Sequence, residues 1–171
     1  MTVPGAVGVI GDLARSMGAE LLIGAGTVLD AETARRCLDA GAQFIVSPGF
    51  DAGTVEFLNR QGVLVMAGAL SATEVITAWK AGSDFVKIFP CGNVGGPSYI
   101  RALKAVLPQI PMIPTGGVNL TTAGTFLKAG AAAIGVGGEL ITADHAAITP
   151  LARQYVSIVE AARETERMGT E

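Results

Sequence analysis

Phe85-Val86-Lys87-Ile88-Phe89-Pro90 sets a single lysine inside a run of strand-forming residues that a proline closes. Successive side chains of a strand alternate faces, so Phe85, Lys87 and Phe89 share one face and Val86 and Ile88 the other. A charge in such a run is costly to bury unless it is paired, neutralised or used. Desolvation lowers a lysine's pKa, and a neutral amine is the usual nucleophile for attack on a ketone and Schiff-base formation. The plainer alternative is a gatekeeper lysine on an exposed edge strand. Lys80, Lys104 and Lys128 fall on polar helix faces and read as solvated.

On either side of this run the pattern repeats. Strand-like stretches cover Leu21–Val28, Phe44–Pro48, Leu64–Ala69, Phe85–Phe89, Met112–Pro114 and Ala133–Val136, with successive starts 20 to 27 residues apart. That spacing suits one strand, one helix and two short loops. Gly41, Gly62, Gly82 and Gly130 each stand where a helix would end in a left-handed cap before the next strand. Asp30 and Asn119 are candidate N-caps, Ser71 and Glu74 spell a capping box, and Thr149-Pro150 opens a C-terminal helix over 149–166. Val7, Ile10, Leu13, Ala14 and Met17 mark an amphipathic helix ahead of the first strand.

Repeated βα units lead to an open doubly wound sheet or a closed (β/α)8 barrel. Gly24-Ala25-Gly26-Thr27, Ser47-Pro48-Gly49, Thr115-Gly116-Gly117 and Gly135-Val136-Gly137-Gly138 sit at C-terminal strand ends, where a barrel builds its active site. No Gly-x-Gly-x-x-Gly follows the first strand. The expectation is therefore an α/β chain of the TIM (β/α)8 barrel class, carrying about six of the eight βα units in one incomplete domain over 1–171.

Composition agrees. The 171 residues are 50% apolar and 16% charged, with 23 glycines and a net charge of -3. No basic block points to nucleic acid, and no apolar run reaches membrane-spanning length. Cys37 and Cys91 lack metal-ligand or CxxC spacing and read as reduced thiols of a cytoplasmic protein.

Thr115-Gly116-Gly117 and Gly137-Gly138 offer backbone amides and room for a close ligand, so together they could cradle an anion. Each glycine pair alone reads equally well as a tight turn. Thr27 and Pro48 could line the same mouth, or simply close a strand and shape a loop. His145 reads as a surface residue, and Glu139 as facing solvent, since a carboxylate pointing into the cradle would repel phosphate.

Ile23–Leu29, Phe44–Gly49, Phe85–Pro90, Pro114–Gly117 and Gly135–Gly138, in this order and spacing, resemble the class I 2-keto-3-deoxy-6-phosphogluconate (KDPG)/4-hydroxy-2-oxoglutarate aldolases over essentially the whole chain. The resemblance implies a (β/α)8 barrel, usually a homotrimer, that uses no metal or cofactor. It implies cleavage of a 2-keto-4-hydroxy acid into pyruvate and an aldehyde. Lys87 would be the Schiff-base lysine. Thr27, Pro48, Phe89 and Thr115 would line the pyruvate pocket, with Gly116, Gly117, Gly137 and Gly138 toward a phosphate.

Two departures follow from the same comparison. The family often has serine where this chain has Glu139, which gives weight to an unphosphorylated or carboxylate-bearing aldehyde. Met1-Thr2-Val3-Pro4 resembles the tail of the family's second strand, so the family's general acid/base Glu is expected just upstream of Met1. A non-catalytic remnant and a different phosphate-binding barrel enzyme are the alternative readings.

Overall fold

The computed structural model describes residues 1–141 and 144–168, which divide between two compact units, Met1–Lys87 and Ile88–Glu171. The sheet is built in chain order, β1 (Gly24–Gly26), β2 (Phe44–Val46), β3 (Leu64–Ala69), β4 (Phe85–Ile88) and β5 (Met112–Pro114). Parallel neighbours in sequence order are what right-handed βα crossovers produce.

In the first unit β1, β2 and β3 are parallel and in register, with Gly26 opposite Val46 and Val46 opposite Met66. Helices α1 (Ala6–Met17), α2 (Ala31–Asp39), α3 (Ala52–Gln61) and α4 (Ala72–Lys80) alternate with the strands. One sheet face is fully buried, through Ala25, Ile45, Val65, Ala67 and Val86. The alternate positions, among them Phe44, Val46, Leu64, Met66, Phe85 and Lys87, are only part-buried. The period-two pattern thus separates a sealed face from a half-open one, and Lys87 is on the half-open side.

Local chemistry sets the helix ends. Asp30 accepts from the Thr33 amide at 2.7 Å and Asp51 from the Thr54 amide at 2.8 Å, each filling an N-cap. Ser71 and Glu74 complete their reciprocal box. Gly41, Gly62 and Gly82 all take positive φ, as does Gly130 in the second unit. Helix α1 differs from expectation: of the predicted apolar face only Ile10 is fully buried, with Leu13 and Met17 exposed. Its close approach to the following unit is at Ala14, where a Cβ on Gly41 would lie 2.7 Å from the Ala14 methyl.

In the second unit, a short 3₁₀ turn (Cys91–Val94) leads into α5 (Pro97–Val106), then β5, α6 (Ala123–Lys128) and α7 (His145–Met168). The Thr115 amide donates to the Ile88 carbonyl at 2.9 Å, joining the end of β5 to the end of β4. The expected sixth strand over Ala133–Val136 reduces to one bridge, Thr115 to Gly135. Pairing is decided by a neighbour, and a run bearing Gly135 and followed by Gly137 and Gly138 has little side chain to hold a ladder.

Three local expectations are corrected here. α7 begins at His145, because Asp144 accepts from the Ala146 amide at 3.0 Å, and so Pro150 lies inside the helix. Asn119 closes the turn before α6 by accepting from the Thr121 and Thr122 amides, while the helix itself starts at Ala123. Lys104 is more than solvated, since its Nζ donates to the Pro108 carbonyl at 2.6 Å and to the Ile110 carbonyl at 3.1 Å, tying down the loop after α5.

Both cysteines are free and buried. Burial pushes the Cys91 thiol up to about 11, which leaves it protonated and inert at neutral pH. Among the described residues no helix is long and apolar enough to cross a membrane.

Candidate active site

Lys87 is the third residue of β4, between the fully buried Val86 and Ile88 and part-buried itself. Burial pulls its ammonium below the ordinary value of 10.5, because a charge loses hydration in a partly apolar setting. The shift favours the neutral amine, the form that attacks carbonyl carbon.

Two other candidate residues belong to the same unit. Thr27 directly follows β1, and its φ of 59° is the positive value of a non-glycine residue. A left-handed threonine costs about 1–2 kcal/mol, and such strain collects at functional positions. The neighbouring Gly26 carbonyl accepts from the Met1 ammonium, and the Val28 amide donates to the Val46 carbonyl at 3.2 Å, so the backbone is held on both sides. Thr27→Gly should therefore raise stability by up to about 1 kcal/mol in urea unfolding while lowering turnover. A destabilised variant with full turnover would contradict this.

Pro48 lies two residues beyond β2 and is placed by its neighbours. The Ser47 hydroxyl donates to the Gly49 carbonyl at 2.6 Å and accepts from the Gly68 amide at 3.4 Å. The Pro48 carbonyl crosses so close to β3 that a Cβ on Gly68 would lie 2.2 Å from its oxygen.

The second unit holds a cavity of about 220 Å³ lined by Phe89, Thr115, Gly116, Gly117, Gly137 and Gly138, with Glu139 also in its wall. Gly116 and Gly117 both have positive φ, and Gly117 packs so tightly on Gly92 that a Cβ would come within 2.8 Å of the Gly92 Cα. The loop is anchored by Cys91 and Gly92 amides donating to the Thr115 and Gly116 carbonyls at 3.0 and 2.9 Å. A Cβ on Gly135 would strike the Thr115 hydroxyl, so this glycine makes room for Thr115.

Glu139 was expected to face solvent. It is exposed, yet it also borders the cavity, because the Leu140 and Ile141 amides fold back onto the Gly137 and Gly138 carbonyls and turn the chain there. Val118 also lines this cavity and was not among the sequence candidates, while Gly135 entered there only within the Gly135–Gly138 run. An apolar residue after a glycine pair is too common a signal to select Val118. His145 is exposed at the start of α7. Among the described residues no three His, Cys, Asp or Glu side chains cluster as metal ligands would.

A family model described as KDPG and KHG aldolase matches residues 1–153. The 2-dehydro-3-deoxy-6-phosphogalactonate aldolase of Escherichia coli K12 is 38% identical over 148 residues, covering 86% of this chain and 71% of that protein. A solved structure named native KDPGal superposes with a TM-score of 0.84 at 34% identity, over 91% of this chain and 76% of that one. The KDPG aldolase of Legionella pneumophila, solved with pyruvate captured as a covalent carbinolamine, gives a TM-score of 0.77 at 26% identity, over 95% and 76% of the two chains. These solved relatives have the fold expected from the repeated βα units, the TIM barrel class. With its family model spanning nearly all of its elements, the chain belongs to the KDPG and KHG aldolase family.

Proposed function

We propose that this chain is a class I aldolase that cleaves a 2-keto-4-hydroxy acid to pyruvate and an aldehyde, with Lys87 as the Schiff-base nucleophile. The observation that carries this reading is Lys87 itself, part-buried on the half-open face of β4 with its ammonium destabilised by burial. The captured carbinolamine of the Legionella relative supports it, since that adduct is an amine added to a pyruvate carbonyl.

The chemistry runs as follows from the amine. Neutral Nζ adds to the C2 carbonyl, and loss of water leaves an iminium. As the C4 hydroxyl loses its proton, the C3–C4 bond breaks and its electrons flow into the iminium, freeing the aldehyde. The enamine left behind takes a proton at C3, and hydrolysis releases pyruvate and the lysine.

Thr27, Pro48, Phe89 and Thr115 are assigned to the pyruvate half of the substrate, and Gly116, Gly117, Gly137 and Gly138 to the aldehyde half. We also assign a homotrimeric assembly and a cytoplasmic location, following the same family reading. Pyruvate release from 2-keto-3-deoxy-6-phosphogluconate, its galactonate epimer and 4-hydroxy-2-oxoglutarate, measured by a coupled lactate dehydrogenase assay, tests the activity. Release from at least one is expected, and release from none would sink the assignment.

A further inference from the structure

The cavity lined by Thr115, Gly116, Gly117, Gly137, Gly138 and Glu139 combines two kinds of hydrogen-bonding group. The amides of Gly116, Gly117, Gly137 and Gly138 donate none of the hydrogen bonds found among the described residues. They are therefore available as donors, and a Cβ on Gly137 or Gly138 would meet nothing within 4 Å, so the space beside them is open. Glu139 adds a carboxylate to the same wall, and among the described residues no lysine or arginine lines the cavity. The charge is felt locally: after burial, Glu139 is the second cause that raises the Tyr155 phenol above its ordinary value.

This combination discriminates among ligand groups. A phosphate or carboxylate accepts hydrogen bonds only, so the amides would suit it but Glu139 would repel it. An ammonium would suit Glu139 but not the amide donors. A hydroxyl both donates and accepts, so it can give its proton to Glu139 and take an amide hydrogen.

We propose that Glu139 is a specificity-determining residue that tunes this cavity to an uncharged, hydroxyl-bearing end of the substrate and against a phosphate. The substrate class rests on the aldolase assignment above: a 2-keto-4-hydroxy sugar acid with a free terminal hydroxyl. The charge discrimination stands without it.

Calorimetric titration of inorganic phosphate into the full chain and into Glu139→Gln tests the discrimination directly. Glu139 is exposed, so the isosteric change leaves packing intact, and a matched melting temperature verifies this. Removing one negative charge beside a dianion should tighten phosphate binding on the order of tenfold. Equal affinity in the two proteins would overturn the proposal.

The substrate class is read from kcat/KM for 2-keto-3-deoxygluconate against its 6-phosphate. The unmodified chain should prefer the unphosphorylated acid, and Glu139→Gln should move the ratio toward the phosphate by about tenfold or more. A preference for the phosphate that the substitution does not alter would overturn the proposal. Cleavage of neither acid would leave the aldolase assignment to the three-substrate assay above and Glu139 to the phosphate titration.

Discussion

Lys87→Met is expected to abolish pyruvate release, lowering kcat/KM by ~10⁴-fold or more, because no other residue replaces a covalent nucleophile. Methionine keeps the unbranched stem and removes the amine, so the β4 strand and its buried neighbours Val86 and Ile88 are retained. Stability should respond in the opposite direction from activity. Burial lowers the Lys87 pKa below 10.5, so between the lowered value and 10.5 the unfolded chain binds more protons than the folded one. The contribution of Lys87 to stability therefore rises with pH across that window. Lys87→Met should be the more stable protein at neutral pH, with its advantage shrinking as pH approaches 10.5. Denaturant unfolding of both proteins from pH 7 to 10 measures this, and an advantage that grows with pH would contradict the assigned cause.

Gly68→Ala is the second large effect, and it acts through packing. Gly68 lies in β3 where the end of β2 crosses it, and an added Cβ would sit 2.1 Å from the Pro48 carbonyl carbon and 2.4 Å from the Gly49 nitrogen. Both are backbone atoms, so no side chain can swing aside. The β2 end must move, and with it the Gly68 to Gly49 hydrogen bond of 3.2 Å and the Ser47 hydroxyl contact. Overpacking of this kind costs about 3 kcal/mol, which for a chain of this size lowers the melting temperature by roughly 10 °C. Because Pro48 is displaced too, turnover should fall even in the protein that remains folded. A melting temperature within a degree or two of the unmodified chain would show that β2 and β3 are not packed this closely.

Where sequence reading succeeded, the physics was local. Gly41, Gly62, Gly82 and Gly130 take the left-handed φ their positions suggested, because a helix ending just before a strand needs that conformation within one residue. Ser71 and Glu74 close their capping box for the same reason. The alternation Phe85-Val86-Lys87-Ile88 appears unchanged in the burial of β4, since a strand's period is a property of its own backbone.

Features set by neighbours were harder to read. The Ala133–Val136 strand depends on pairing and survives only as the Thr115 to Gly135 bridge. The left-handed Thr27 runs against its own β-branched preference, so nothing in the residue type announces it. Gly68 reads as a weak strand residue until the Pro48 carbonyl is placed over it. Glu139 carries the clearest lesson: its exposure was legible, but the turn that brings it into the cavity wall was not.

The central claim is that Lys87 forms the covalent bond to substrate. Incubating the chain with pyruvate and sodium borohydride, followed by proteolysis and mass spectrometry, tests it most directly. One reduced pyruvate adduct per chain is expected, on the peptide containing Phe85–Pro90 and absent from Lys87→Met. An unmodified Lys87, or an adduct carried on Lys80, Lys104 or Lys128 instead, would contradict the account.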